Sequence, residues 1–295
     1  MKVAPFALAV LLAVLLAAAP ALVAPALAAP KPKPLPEPPA ADWRRPDPEN
    51  VLVVDTSKGR VIVEMAPLVA PRHVERVRLL TRRGFYDGLS FFRVLDGFMA
   101  QTGDPGNDGK GGSELPDLAD EFSFQRGQAT PFAFVSQVAP DFATPGLTES
   151  GFIGSMPVRS PPGMQMMMTA RGTVTGWGLF CAGVMGMAKA PSPNSANSQF
   201  FFMRATYPSL DRGYTAWGRV ISGLEVVRAI KVGEPVADPR DVMTRVRVLA
   251  DIPEAERPDI QVLDAASPSF KAMVDRARVG GVAQICDIAL PVKIK

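Results

Sequence analysis

The chain carries one histidine, His73, and two cysteines, Cys181 and Cys286. A Ser-His-Asp or Cys-His nucleophile would have to use His73, and neither cysteine is near it in sequence. One histidine and two separated cysteines also argue against a zinc site. The glycine-rich run Gly103–Gly112 invites two motif readings, and both fail. A phosphate-binding loop ending at Gly109-Lys110 needs Gly where Asp104 stands and Ser or Thr where Gly111 stands. A calcium loop starting at Asp104 needs a ligand at Gly106 and Glu at Leu115. A tight connecting loop is the simpler reading. Met156, Met164, Met166, Met167 and Met168 could offer soft thioether ligands. The expectation is that they fill irregular packing instead, and that no metal is held.

What remains is an apolar surface with a few polar donors. Ser90–Gly112 reads SFFRVLDGFMAQTGDPGNDGKGG, and Val184–Phe202 reads VMGMAKAPSPNSANSQFFF. Neighbouring strand residues point to opposite faces, so Phe200 and Phe201 cannot share one. Met99 and Gln101 do share a face, and so do Gln199 and Phe201. Each pair sets an apolar group beside an amide. That combination suits a groove for an extended peptide better than a dry core.

Several elements must position these residues. Val51–Asp55, the turn Ser57-Lys58-Gly59 and the alternation through Val61, Val63 and Met65 predict two paired strands. Pro71 opens a helix with Val74, Val77 and Leu80 on one face, stopped at Gly84. A second helix fits 223–231, with the stripe Leu224, Val227 and Ile230. Short apolar strands separated by Gly and Pro fill the span between them. Two helices in a strand-rich chain predict a barrel or sandwich with helical caps. Residues 125–177 read as a loop-like insertion, because prolines recur from Pro131 to Pro162. Residues 251–295 read as a C-terminal extension, with a helix around 269–278.

The ends of the 295-residue chain have their own signals. Lys2, the apolar run Phe6–Ala19 and Ala26-Leu27-Ala28 resemble a signal peptide, residues 1–28, cleaved before Ala29. A membrane anchor is the competing reading, but Pro20 and Pro25 break the apolar run. Residues 29–48 read as a Pro-rich tether outside the fold. The expected location is the periplasm, with no stable membrane insertion after cleavage. A net charge of +3 is too small to point to nucleic acid. A monomer is expected.

At the groove residues the sequence resembles the cyclophilin family. FFRVLDGFMAQTGDP, NSANSQFFF and SLDRGYTAWGRVISGLEVV carry the resemblance, in that order, between about Val51 and Val248. It implies a mainly β fold: an eight-stranded antiparallel barrel capped by two helices, spanning about 49–250. It also implies peptidyl-prolyl cis-trans isomerase activity without a cofactor, acting on proline-containing unfolded or extended chains. The family's catalytic arginine falls on Arg93. Its proline pocket falls on Phe98, Met99, Phe201 and Leu210, its polar groove on Gln101 and Gln199, and its peptide-backbone strand on Ala188-Lys189. Tyr214 stands where many members have His, Ser209 where many have Trp, and Lys189 replaces the usual Asn. Those changes motivate an alternative, a non-catalytic module that holds proline segments as a chaperone. Export would permit a Cys181–Cys286 disulfide, with two reduced buried thiols as the other reading.

Overall fold

The computed structural model describes residues 34–141, 144–278 and 280–295. The expected signal peptide, residues 1–28, lies outside the described residues. Helix α1 is Pro71–Arg82, α2 is Leu224–Ala229 and α3 is Pro268–Ala277. Each of the three was expected within a few residues. Pro at the first helical position suits α1 and α3, since its missing N–H would be unpaired there anyway.

An eight-stranded antiparallel sheet forms the centre. Its strand order is Met243–Val248, Val51–Thr56, Gly59–Met65, Ala216–Ser222, Val184–Met187, Phe200–Met203, Met99–Thr102 and Arg93–Leu95. The sheet curls until its two edges meet. Ser90 bridges to Val242 and Val94 to Gly233, and the Phe91 N–H donates to Asp241 O at 2.9 Å. The interior is closed by α1 and α2 and packed with Leu52, Val63, Val77, Phe200, Phe202 and Trp217.

The insertion is the first correction. Residues 125–177 are not loop-like. They form most of a five-stranded antiparallel sheet, ordered Phe124–Gly127, Thr173–Gly178, Met156–Ser160, Thr148–Ile153 and Ala133–Val138. Most of the prolines that argued for loops stand between strands; Pro157 alone lies inside one. This sheet does not stand apart. Val135, Phe152, Val158 and Trp177 share one buried cluster with Met99, Phe201 and Leu210 of the barrel's outer face.

The tether is the second correction. Pro36–Lys295 form one compact unit. Trp43–Arg44 pairs with Leu263 and Val262, and Ile260–Leu263 pairs in turn with Val292–Ile294. Arg44 donates to both carboxylate oxygens of Glu64, at 2.7 and 2.8 Å. The C-terminal extension therefore closes over the barrel's outer face. There Val51, Val53 and Ile62 meet Ile252, Ile260 and Val262. A disulfide joins Cys181 to Cys286, with Cα atoms 5.0 Å apart. Phe270 of α3 packs edge-on against Phe152, ring centroids 5.6 Å apart.

The methionines divide. Met156 and Met166 are buried, as packing residues should be, whereas Met164, Met167 and Met168 are exposed on a short 3-10 turn.

Candidate active site

The strand Phe200–Met203 sorts its side chains by alternation. Phe200 and Phe202 enter the barrel interior, and Phe201 and Met203 point outward. The neighbouring strand does the same, with Ala100 inside and Met99 outside. Phe201 pairs directly with Gln101 on that strand. On its other side Phe201 lies opposite Gly186. A Cβ on Gly186 would overlap the Phe201 ring, so glycine makes room for it.

Phe201 is framed by two rings. Phe180 stacks beside it, centroids 6.0 Å apart, and Tyr214 meets it edge-on at 6.0 Å. The result is a cavity of about 180 Å³ on the barrel's outer face. Its walls are Arg93, Phe98, Met99, Gln101, Ala188, Lys189, Phe201, Leu210 and Tyr214. Nine of the ten residues expected at the site thus line one cavity. The tenth, Gln199, lines the adjoining cavity of about 500 Å³ together with Gln101, Ala188 and Lys189.

The polar groups form a chain along the rim. Arg93 lies opposite Gln101 in the strand register. Its Nη1 donates to Gln101 Oε1 at 3.3 Å, and its Nε donates to Glu234 Oε1 at 2.6 Å. Gln101 Nε2 donates to Gln199 Oε1 at 2.9 Å, and Gln199 Nε2 donates to Gly111 O at 2.8 Å. Ala188 is held by its N–H, which donates to Gln199 O at 2.9 Å. Arginine keeps its charge at any working pH and presents a planar fork. With two of its donors engaged, that fork has a defined plane at the mouth of an apolar pocket.

The glycine-rich loop that failed as a phosphate site has a structural task. Asp104 is buried, which opposes its ionisation. N–H donors from Gly106, Gly109, Asp108 and Gly111 outweigh that and hold its carboxyl below the ordinary range. The loop is thereby folded against Gln199 and the rim. His73 lines neither cavity. Its ring is fully buried and its Nδ1 lies 2.7 Å from Glu121 Oε2. That carboxylate also accepts the backbone N–H groups of Arg72 and His73, at 3.2 and 3.0 Å, at the start of α1.

Two features escaped the sequence reading. Glu234 reaches Arg93 from 141 residues away, and one carboxylate among several in a loop carries no local signal. Tyr207 tilts against Phe98 with centroids 4.5 Å apart, so aromatic surface is present near Ser209 although Ser209 itself has none. The aromatic in Thr206-Tyr207-Pro208 was the available clue.

Comparisons with known proteins bear on the family. Residues 51–250 match the family model for cyclophilin type peptidyl-prolyl cis-trans isomerases. A Brucella suis protein named "Probable peptidyl-prolyl cis-trans isomerase" is 36% identical over 198 residues, covering 63% of this chain and 74% of that protein. A Rhizopus delemar protein named "Peptidyl-prolyl cis-trans isomerase-like 1" is 30% identical over 189 residues, covering 64% and 84%. Among solved structures, the cyclophilin AquaCyp293 of Hirschia baltica superposes with a TM-score of 0.77 at 31% identity. That match covers 85% of this chain and 93% of AquaCyp293, so the likeness runs beyond residues 51–250. The chain belongs to the cyclophilin-type peptidyl-prolyl cis-trans isomerases.

Proposed function

We propose that Arg93 is the catalytic group of this isomerase and that its clients are proline-containing segments of exported polypeptides. Rotation about an X-Pro bond is slow because the nitrogen lone pair is conjugated with the carbonyl, a barrier of about 18–20 kcal/mol. Cis and trans are close in energy at proline, so the catalyst has only to bind the twisted amide better than either planar form. No nucleophile and no proton transfer is required. Phe98, Met99, Phe201 and Leu210 hold the prolyl ring. Gln101 and Gln199 hold the backbone. The Arg93 guanidinium donates toward the prolyl nitrogen as its lone pair becomes available. The observation that carries this reading is the guanidinium fixed by Glu234 and Gln101 at the rim of the apolar cavity.

Turnover of a short X-Pro peptide, coupled to a protease that cleaves only trans, tests it. Arg93→Ala should lower kcat/KM at least about tenfold, equivalent to about 1.4 kcal/mol of transition-state stabilisation. A folded variant with wild-type turnover would overturn the assignment.

Export is supported by Lys2, the run Phe6–Ala19 and Ala26-Leu27-Ala28, and by a disulfide that suits an oxidising compartment. The mature protein would begin near Ala29 and act as a periplasmic monomer. N-terminal sequencing of protein from the envelope fraction checks the cleavage, and an intact Met1 held in the membrane would refute it.

A further inference from the structure

Beside the proline cavity lies a second cleft of about 420 Å³, built largely from the insertion. Phe122, Leu147, Pro161 and Trp177 give it apolar walls, and Arg212 stands at its edge. The two sites share a wall. Lys189, which lines the proline cavity, places its Nζ 5.5 Å from the Tyr214 ring centroid and 5.7 Å from that of Phe122. Tyr214 belongs to the proline cavity and Phe122 to the cleft. The Glu121 N–H donates to the Thr215 hydroxyl at 3.0 Å, which fixes the two aromatic positions relative to each other.

The charges in this region are one-sided. Arg212 is exposed and sits over Trp177, its guanidinium carbon 5.1 Å from the ring centroid. Among the described residues, neither Arg212 nor Lys189 has a carboxylate partner, whereas Arg72, Arg93, Arg126 and Arg204 each have one. Asp211, next to Arg212, turns inward to accept the Phe180 N–H at 2.8 Å and does not neutralise it. Leu147 remains 42% exposed on the cleft wall. An apolar trough with two unpaired cations along one side is complementary to an apolar side chain next to an acidic one.

We propose that this cleft binds a second stretch of the same client chain, one that sets an aromatic or large aliphatic side chain beside Asp or Glu. The apolar group enters between Phe122, Leu147 and Trp177, and the carboxylate meets Arg212 and Lys189. The proposal rests on the isomerase reading for the identity of the ligand. Continuity with the proline groove is what identifies the occupant as the client itself. About three extended residues, at roughly 3.4 Å each, bridge the shared wall. Clients would then be selected by sequence near the proline as well as by the proline, and the insertion would be the element that selects.

Calorimetry on the full chain with synthetic ten-residue peptides tests this. Each peptide carries one Ala-Pro and, three residues before or after it, Phe-Asp, Phe-Lys or Ser-Ser. One of the two Phe-Asp peptides should bind at least fivefold more tightly than its Ser-Ser counterpart. Arg212→Glu should reverse the order of Phe-Asp and Phe-Lys, and Leu147→Ser should lower the affinity of both Phe peptides toward that of Ser-Ser. Turnover of a four-residue Ala-Pro peptide should be unchanged in both variants. Equal wild-type affinity for Phe-Asp and Ser-Ser in both placements would overturn the proposal, as would an Arg212→Glu protein that keeps the Phe-Asp preference. Absence of turnover on the four-residue peptide would count against the isomerase reading alone, because the affinity ratios are read without catalysis.

Discussion

Arg93 and Glu234 are joined by a hydrogen bond of 2.6 Å from the guanidinium Nε to a carboxylate oxygen, across 141 residues of sequence. Both side chains are substantially exposed, at 37% and 52%. An exposed pair of this kind contributes about 0–1 kcal/mol to stability. Its consequence lies in orientation. With Nε held by Glu234 and Nη1 by Gln101, the fork cannot rotate about its own axis without breaking two contacts.

Glu234→Gln should therefore lower kcat/KM about three- to tenfold while changing unfolding stability by less than about 0.5 kcal/mol. The amide can still accept a hydrogen bond, though more weakly than a carboxylate. Peptide turnover together with urea unfolding of the same samples checks both halves. Unchanged turnover would show that Gln101 alone orients the guanidinium.

Asp211 supplies a pH test. Burial raises its pKa to about 6, against the opposing effects of the Phe180 N–H and the Arg159 charge. An unfolded Asp titrates near about 3.9. The folded state thus binds more protons between those two values, and stability falls as pH rises through that window. Asp211→Asn keeps an acceptor for Phe180 but cannot ionise. Between pH about 4 and 6 the wild type should lose up to about 3 kcal/mol relative to this variant, with no further relative change above about 7. Urea midpoints across pH measure the difference, and parallel profiles would exclude an ionisable, buried Asp211.

The groove was legible in the sequence because strand alternation is a strict rule. Gln199 and Phe201, and Met99 and Gln101, fall on one face for that reason alone. The insertion was illegible for two physical reasons. Its prolines mimic a loop, and its buried face is partly polar: Ser136, Thr148, Ser150 and Ser160 are all inside. The three serines are tolerated there because they are paired. Ser136 and Ser150 hydroxyls lie 3.0 Å apart, and Arg126 donates to the Ser160 hydroxyl at 2.8 Å. A hydropathy pattern counts these serines as solvent-facing. The extension did leave a trace. Val51-Leu52-Val53-Val54 is apolar on both faces, and an antiparallel strand with one face in water would alternate. The outer face is covered by Ile252, Ile260 and Val262.

The Cys181–Cys286 bond closes 105 residues of sequence. On the chain-entropy model a loop of that size stabilises the folded state by about 4–5 kcal/mol. Cys181→Ser/Cys286→Ser should show a loss of that order in urea. Addition of reductant should destabilise the wild type and leave the double variant unaffected. Alkylation of two thiols in the unreduced, unfolded protein would show that the bond is absent in solution.

Phe152 decides whether the insertion is an appendage or part of the core. Its ring is 1% exposed and packs against Phe270 of α3 and under the Arg219 guanidinium, 5.5 Å from the ring centroid. Arg219 is itself buried, and burial lowers its pKa to about 10. It donates to Ser155 O and Ile288 O at 3.4 and 3.2 Å, one from the insertion and one from the extension. Insertion, barrel and extension therefore converge at this ring. Phe152→Ala should cost about 3–5 kcal/mol, the range for truncating a buried Phe, and should do so in a single unfolding transition. An insertion that folds as an independent loop predicts less than about 0.5 kcal/mol, or a separate early transition. Unfolding followed both by Trp fluorescence and by peptide turnover distinguishes these outcomes. In a shared core, loss of turnover tracks the global transition, because Met99, Phe201 and Leu210 of the proline pocket belong to the same packed cluster as Phe152.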